Sequence, residues 1–237
     1  MHMTKGFFVT GTDTGVGKTV VAAGLIKAVW MFGLRPCAMK PIETGCRRQG
    51  DVLIPQDGVF LKNIARMEEQ INHIAPYRLS APLAPMLAAE MEGVDIEPED
   101  IMKEFVELAG RYDAAVVEGV GGLLVPIRRD YCVLDMAKDM GLPLVVVSRP
   151  SLGTINHTLL TVDRALRDGL TVAGVIINFS RPPEGSLAEE SNTYALRTLC
   201  PVPLIGVMPY LPDLSDEALE KAVVKNLDLD IVRRYLL

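Results

Sequence analysis

The chain has 237 residues, of which 49% are hydrophobic and 23% charged, and its formal net charge is −6. This composition predicts a single globular domain over residues 1–237, and the acidic balance argues against binding nucleic acid, which needs a basic face. The four cysteines form no Cys-x-x-Cys pair, which argues against a zinc site or disulfide framework. Because no apolar run approaches the ~20 residues that span a bilayer and no signal-peptide pattern is present, we expect a cytoplasmic protein without membrane contact.

Short β-rich runs alternate with longer helical patterns along the chain, and several of these runs are apolar almost throughout, as at residues 145–147. Such runs are typical of parallel strands covered by helices on both faces. The alternation predicts an α/β fold with a doubly wound, mainly parallel sheet. Strands are predicted at residues 6–10, 36–40, 114–118, 142–148, 172–178 and 202–207. Helices are predicted at 17–31, 59–68, 98–111, 133–139, 155–167 and 187–199, with short ones near 215–223 and 228–236.

A glycine-rich segment follows the first predicted strand and reads Gly-Thr-Asp-Thr-Gly-Val-Gly-Lys-Thr at residues 11–19. Glycines let backbone amides approach phosphate closely, and a helix N-terminus adds donors and a favourable dipole. Lys18 could then reach the β- and γ-phosphates of a nucleotide, and the Thr19 hydroxyl could ligate Mg²⁺. The two outer glycines enclose five residues instead of the usual four. The segment nevertheless predicts a phosphate-binding loop and a fold of the P-loop NTPase type.

Two charged residues close other predicted strands. Glu118 ends an apolar strand and is followed by Gly119, and in open α/β sheets ligands bind beyond the carboxyl ends of the strands. Taken alone, Glu118 could cap a helix or lie on the surface, but beside a phosphate loop it is a candidate for holding the metal. Lys40 follows the second strand. By its local sequence it could be a solvated lysine before a turn, or a cation that stabilises transition-state charge.

At this point the chain resembles the dethiobiotin synthetase family over most of its length. The family's phosphate loop has the same extra residue. The further matching motifs are Lys40-Pro41 with Thr44-Gly45, residues 117–122, Leu-Gly-Thr-Ile-Asn-His at 152–157, and Pro-Tyr-Leu at 209–211.

The resemblance implies an ATP- and Mg²⁺-dependent cyclo-ligase of biotin biosynthesis. Its substrates are 7,8-diaminopelargonic acid and CO₂ or bicarbonate, and its products are dethiobiotin, ADP and phosphate. One amine captures CO₂ as a carbamate, the carbamate attacks the γ-phosphate, and the second amine closes the ring on the resulting carbamic-phosphoric anhydride. Because the substrate supplies both nucleophiles, the protein must supply alignment and positive charge.

The resemblance also implies roles for individual residues. Lys18 and Lys40 would be catalytic, and Thr19, Asp57 and Glu118 would hold the metal. Asp57 fits the family pattern better than Asp51, although this loop varies. The nucleotide would contact Thr14, Gly15, Val16, Gly17, Lys18, Thr19, Val20, Asp57, Glu118, Gly119, Val120, Gly121, Asn178, Phe179, Pro209, Tyr210 and Leu211. The diamine would contact Thr14, Lys40, Thr44, Gly153, Thr154, Ile155, Asn156 and Tyr194.

The family is dimeric, so the resemblance implies a homodimer in which residues 153–156 bind the substrate carboxylate across the interface.

The roles of two further positions are not settled by the resemblance. A lone histidine near a helix start, such as His157, is more often a packing residue than a base. Some relatives carry an acid at the position of Gly15, so a contribution from a loop acid is in doubt for this chain.

Three other classes of protein compete with this interpretation. Partitioning and septum-positioning ATPases carry a second lysine early in the phosphate loop, where this chain has Asp13. A regulatory GTPase needs an Asn-Lys-x-Asp motif, which is missing because Phe179 follows Asn178. Cobyrinic-acid amidating enzymes need a glutamine-hydrolysing domain, for which we see no room in 237 residues.

Overall fold

The structure is a computed structural model that describes residues 4–237. Its strands are β1 Gly6–Gly11, β2 Pro36–Met39, β3 Ile42–Thr44, β4 Arg47–Gln49, β5 Val52–Ile54, β6 Tyr77–Leu79, β7 Ala114–Gly122, β8 Pro126–Arg128, β9 Tyr131–Cys132, β10 Leu144–Ser148, β11 Val172–Asn178 and β12 Leu204–Met208. Its helices are α1 Lys18–Met31, α2 Gln56–Ala65, α3 Ile71–Ile74, α4 Pro85–Glu92, α5 Pro98–Ala109, α6 Val133–Met140, α7 Thr154–Arg167, α8 Leu187–Leu199, α9 Asp216–Asn226 and α10 Leu229–Arg233.

Six of the strands form one sheet in the order β12-β11-β10-β1-β7-β2. All five neighbouring pairs are parallel. The chain starts in the middle of the sheet, runs to the β2 edge, returns through β7 and then crosses β1 to build the other half. This order confirms the predicted doubly wound parallel sheet, and it makes the end of β1 a topological switch point where ligands bind.

The central strands are buried on both faces, because every residue of β1, β10 and β11 is buried. Helix α1 packs against both α2 and α9, while α5 contacts α6 and α7 contacts α8. Aliphatic side chains fill the interior, as the scarcity of aromatic residues requires. The sheet is thus a rigid central layer whose carboxyl edge carries the loops described below.

Parallel pairing aligns the carboxyl ends of the three strands that carry the predicted phosphate and metal residues. The strand predicted at 114–118 continues to Gly122, so Glu118 lies within β7 and does not end it as predicted. Val9 of β1 is in register with Glu118, and Met39 of β2 is in register with Val117. Lys40 therefore comes directly after β2, beside Glu118, and the phosphate loop leaves β1 at the same edge. This register is the reason that residues distant in sequence meet in one place.

Several predicted boundaries differ from the structure for local reasons. The strands predicted from residues 142 and 202 begin two residues later, after Pro143 and Pro203. Proline cannot donate a hydrogen bond to a sheet. The helix predicted at 59–68 is α2, which ends before Arg66 because that residue has a φ of 54°.

The short elements β3–β6, α3, α4, β8 and β9 were not predicted. Among the described residues, every helix is too short or too polar to cross a membrane.

Candidate active site

The phosphate loop joins β1 to α1 at the centre of the sheet. Gly15 and Gly17 have φ angles of 74° and 86°, in the left-handed region that other residues rarely adopt. Gly17 stands at the N-cap of α1, so the first amides of the helix face the loop. The Lys18 ammonium folds back and donates to the backbone carbonyl of Asp13 at 3.3 Å. The loop thus gathers amide donors and one cation around a concave surface suited to phosphate.

Next to this loop lies a cluster of two carboxylates, one lysine and one hydroxyl. Lys40 forms an ion pair with Glu118 Oε1, and its Nζ is 3.3 Å from Asp57 Oδ2. The Thr19 hydroxyl donates to the same Glu118 oxygen at 3.1 Å. The second oxygen of Glu118 is buried without a hydrogen-bond partner. Asp51, the alternative to Asp57, is exposed between β4 and β5.

Burial and the charges of neighbouring side chains shift the pKa values of the ionisable groups in this cluster. Burial, helped by repulsion from Lys40, lowers the pKa of Lys18 to about 8. Burial also disfavours the charge of Lys40, but Glu118 and Asp57 outweigh it and raise the pKa of Lys40 above its ordinary value. Burial raises the pKa of Glu118, an effect that Lys40 opposes. Lys40 is therefore a fixed cation, whereas Lys18 can lose its proton near physiological pH.

These groups surround a cavity of about 260 Å³, and Thr44 faces it from the end of β3. A cavity of this size accommodates a phosphate group and a small reacting group but not a whole nucleotide. Two lysines that converge on such a space can stabilise negative charge on a transferring phosphoryl group. The cavity is lined by Thr14, Gly15, Gly17, Lys18, Thr19, Lys40, Glu43, Thr44, Asp57, Glu118, Val120 and Gly121.

A second cavity, of about 420 Å³, adjoins the first and shares Gly17, Thr19 and Asp57 with it. Its other walls are largely apolar, as the walls of small-molecule sites usually are. They are formed by Val20, Gln56, Phe60, Phe179, Ser180, Tyr210, Leu211 and Leu214. Pro209 is exposed just before Tyr210.

Asn178 joins the end of β11 to the phosphate loop. Its side-chain amide donates to the carbonyl of Val16 at 2.9 Å, and its Oδ1 is buried without a partner. Val16 itself is buried, as is Gly119, where an added Cβ would lie 2.9 Å from the Phe8 ring. Asn178 thus holds the phosphate loop against the end of β11 through Val16.

The residues predicted to bind the substrate carboxylate lie outside both cavities. Gly153 and Asn156 are exposed at the start of α7, Ile155 is half-buried and Thr154 is buried. Tyr194 on α8 is 75% exposed. The two segments are tied together, because the side chain of Asn192 donates to the carbonyls of Pro150 and Ser151 at 2.7 and 3.1 Å.

Comparison with known proteins decides the family. Residues 5–218 match a family model described as an AAA domain. An ATP-dependent dethiobiotin synthetase from Thermodesulfovibrio yellowstonii is 42% identical, over 96% of this chain and 98% of the relative. Relatives of the same name from Bacillus velezensis and Bacillus subtilis strain 168 are 40% and 36% identical, over at least 95% of each chain.

The chain belongs to the dethiobiotin synthetase family.

Solved structures resemble this synthetase family member in fold alone. A septum site-determining protein MinD from Pyrococcus horikoshii, complexed with Mg-ADP, superposes with a TM-score of 0.53 at 16% identity, covering 94% of this chain and 96% of that one. A ParA family ATPase from Chlorobium tepidum superposes with a TM-score of 0.52 at 15% identity, covering 95% and 91%. Both confirm the α/β P-loop architecture.

Two residues of this synthetase site were missed in the sequence. Glu43 is only 6% exposed and lines the 260 Å³ cavity. Burial raises the pKa of Glu43, while the amides of Gly58 and Asp57 oppose the shift. Arg149 follows β10 and forms an ion pair with Asp13 of the phosphate loop. Only Arg149 carried a signal in the sequence, because it is a charged residue directly after the buried strand β10. Glu43 is the middle residue of the three-residue β3, which pairs with β6 outside the main sheet, and no local pattern marks it.

Proposed function

We propose that this protein is an ATP-dependent dethiobiotin synthetase that carboxylates 7,8-diaminopelargonic acid and closes it to a cyclic urea. The observation that carries the proposal is the convergence of Lys18, Lys40 and Thr44 on one cavity beside the phosphate loop. The full-length relationship to curated dethiobiotin synthetases supports the same activity.

The chemistry needs no nucleophile from the protein. A carbamate oxygen of the substrate attacks the γ-phosphorus, the bond to ADP breaks, and the neighbouring amine then attacks the carbonyl carbon with loss of phosphate. Lys18 and Lys40 stabilise the charge that develops on the transferring group, and Thr44 holds the amine or carbamate end. Lys40 suits this task because its two carboxylate neighbours keep it protonated.

Thr19, Asp57 and Glu118 are the residues we propose for Mg²⁺. Their oxygen donors are of the hard type that Mg²⁺ prefers, and the unpartnered Glu118 Oε2 supplies a further acceptor. Within residues 4–237, no group of three or more His, Cys, Asp or Glu side chains is arranged to hold a metal ion. A site completed by nucleotide phosphates and water fits that donor set. When bound, Mg²⁺ would neutralise charge on the β- and γ-phosphates.

The 420 Å³ cavity is proposed to hold the adenine ring. Apolar side chains of Val20, Phe179 and Leu211 offer surfaces for its faces. Asn178 does not line this cavity, so its buried, unpartnered Oδ1 would accept a hydrogen bond from the exocyclic amine only once the bound base displaces part of the cavity wall; its amide nitrogen is already used by Val16. The backbone at residues 209–211 would line the other side of the base.

The decisive experiment measures phosphate release from Mg-ATP with bicarbonate, with and without 7,8-diaminopelargonic acid, and follows the organic product by mass spectrometry. We expect phosphate release that depends on the diamine, with one cyclic urea formed per phosphate. ATP turnover that is indifferent to the diamine, without urea formation, would reject the synthetase activity and leave only an ATP-binding protein.

A further inference from the structure

Glu43 is a buried carboxylate of the active site that the proposed reaction does not use. It lies on β3 between Lys40 and the loop that leads to α2, and it is only 6% exposed. Both of its oxygens are engaged: Oε1 accepts the amide of Asp57 at 3.1 Å, and Oε2 accepts the amide of Gly58 at 2.9 Å. A buried carboxylate with both oxygens hydrogen-bonded to backbone holds that backbone in place.

These two amides belong to the first turn of α2, which lacks a cap of its own. The N-cap residue is Pro55, and it contributes no side-chain hydrogen bond. The first amides of a helix need acceptors, and a negative charge is favourable at that end. Glu43 therefore caps α2 from a different element, 14 residues earlier in the chain.

The intervening chain is poorly suited to fix the start of α2. It contains the antiparallel hairpin of β4 and β5, in which all three residues of β4 and Val52 of β5 are exposed. The Glu43 bonds link β3 and α2 directly across this hairpin. Asp57 is the residue at the junction, since its amide binds Glu43 while its carboxylate lies 3.3 Å from Lys40 Nζ.

We propose that Glu43 is a positioning residue for the cation site: by capping α2 it aims the Asp57 carboxylate at the space between Lys40 and Glu118. The inference rests on the proposed role of Asp57 at Mg²⁺. It predicts that Glu43 affects Mg²⁺ through Asp57 while leaving the phosphate loop itself unchanged.

The test is calorimetric titration of the full chain with ATP, without Mg²⁺ and at a series of Mg²⁺ concentrations, for Glu43→Ala, Glu43→Gln and Asp57→Asn. Without Mg²⁺ we expect each Glu43 variant to bind ATP about as tightly as the parent protein. With Mg²⁺ we expect Glu43→Ala to need about tenfold more metal for half-maximal effect, a loss typical of residues that support metal ligands. Glu43→Gln keeps one acceptor oxygen and should lose less.

The double variant Glu43→Ala/Asp57→Asn separates positioning from general support of the fold. If Glu43 acts through Asp57, the double variant should lose no more Mg²⁺ affinity than Asp57→Asn alone. The matched control is Asp228→Ala, because Asp228 also accepts two first-turn amides, at 3.1 and 3.3 Å, but caps the distant α10. That control should leave Mg²⁺ dependence unchanged.

Additive losses in the double variant, or an equal loss of ATP affinity without Mg²⁺, would overturn the positioning role. Because the titrations contain no diamine, they are independent of ring closure. Failure to form the cyclic urea would thus reject the proposed function, while the conclusion about Glu43 and Mg²⁺ would still stand.

Discussion

At the scale of single residues, the two active-site lysines differ in charge stability although they line the same cavity. Lys40 has two carboxylates within contact distance, so its positive charge is held in place. Lys18 donates to a neutral carbonyl, and burial together with repulsion from Lys40 lowers its pKa to about 8. Lys40 is therefore suited to stabilise negative charge in a transition state. Lys18 is suited to take up a proton when phosphate binds.

Lys40→Gln should slow turnover strongly while leaving ATP binding nearly unchanged. Removing a preorganised charge from the site of phosphoryl transfer is expected to lower kcat by about 10²- to 10³-fold. The measurement is steady-state kinetics of diamine-dependent phosphate release together with an ATP titration. Lys103→Gln, on α5 away from the cavity, is the control for loss of a lysine elsewhere. Near-normal kcat in Lys40→Gln would remove Lys40 from the catalytic residues.

The affinity for ATP should fall as the pH rises through about 8. A lowered lysine pKa means that the free protein loses the Lys18 proton above that value, whereas bound phosphate favours the charged form. Binding at pH 9 must then include uptake of a proton, and the affinity should be about tenfold weaker than at pH 7. Calorimetry in buffers of different ionisation enthalpy measures the proton uptake directly. A flat affinity profile, with no proton uptake at pH 9, would contradict the shift.

The residues that could be predicted from the sequence alone are those whose role follows from an ordered local motif. Lys18 and Thr19 have this property, because strand, glycine-rich turn and helix follow one another. Glu43 could not be predicted, since its partners Asp57 and Gly58 come 14 and 15 residues later and only the fold brings the start of α2 within hydrogen-bond distance of β3. Arg149 meets Asp13 across 136 residues, so its role depends wholly on β10 lying beside β1.

At the scale of elements, the six strands of the main sheet were predicted because each is a buried apolar run between helices. The strands between β2 and α5 were not, because β3, β4, β5 and β6 have three residues each. Runs that short have no periodicity that separates them from loops. The region whose strands were not predicted carries Glu43, Thr44 and Asp57. The sequence pattern is therefore least informative in the segment that supplies much of the proposed cation site.

The contact between the phosphate loop and β11 depends on Gly17. A Cβ at this position would lie 2.1 Å from the Asn178 side-chain nitrogen, and the φ of 86° adds backbone strain. Gly33 is the matched control, with a φ of 74° and nothing within 4 Å of an added Cβ.

We expect Gly33→Ala to lower the free energy of unfolding by about 1–2 kcal/mol without changing ATP affinity. Gly17→Ala should also weaken ATP binding at least tenfold, as measured by calorimetry, because Asn178 must move. Equal ATP affinity in the two variants would show that the Asn178 contact is dispensable.

At the scale of the whole molecule, the surface carries features that the fold of one chain does not use. Leu152, directly before the predicted carboxylate-binding segment 153–156, is 88% exposed, and Tyr194, itself predicted to contact the substrate, is 75% exposed. Leu124 and Leu160 are 58% and 60% exposed and line a cavity of about 400 Å³ with Asp13 and Thr14 of the phosphate loop. Exposed apolar side chains around a functional segment are consistent with a partner surface. The homodimer with a shared substrate site stays a prediction.

Complementation between two inactive variants tests whether the substrate site is shared. Lys40→Gln removes the charge that we propose to be catalytic, and Asn156→Asp places a negative charge where the substrate carboxylate is predicted to bind. If a site combines Lys40 of one chain with residues 153–156 of the other, a mixed dimer contains one intact site and one with both defects. Equal coexpression should then restore roughly a quarter of the parent activity, since half of the symmetric dimers are mixed.

The measurement is kcat per chain on dimers carrying two different affinity tags, with the mass confirmed by light scattering. Purified mixed dimers should reach about half of the parent activity, and each variant alone should stay near background. Mixed dimers that form but remain inactive would place Lys40 and Asn156 in the same site of one chain. A monomeric mass with full activity in the parent protein would remove the interface from the mechanism altogether, and residues 153–156 would then have to reach the cavity within their own chain.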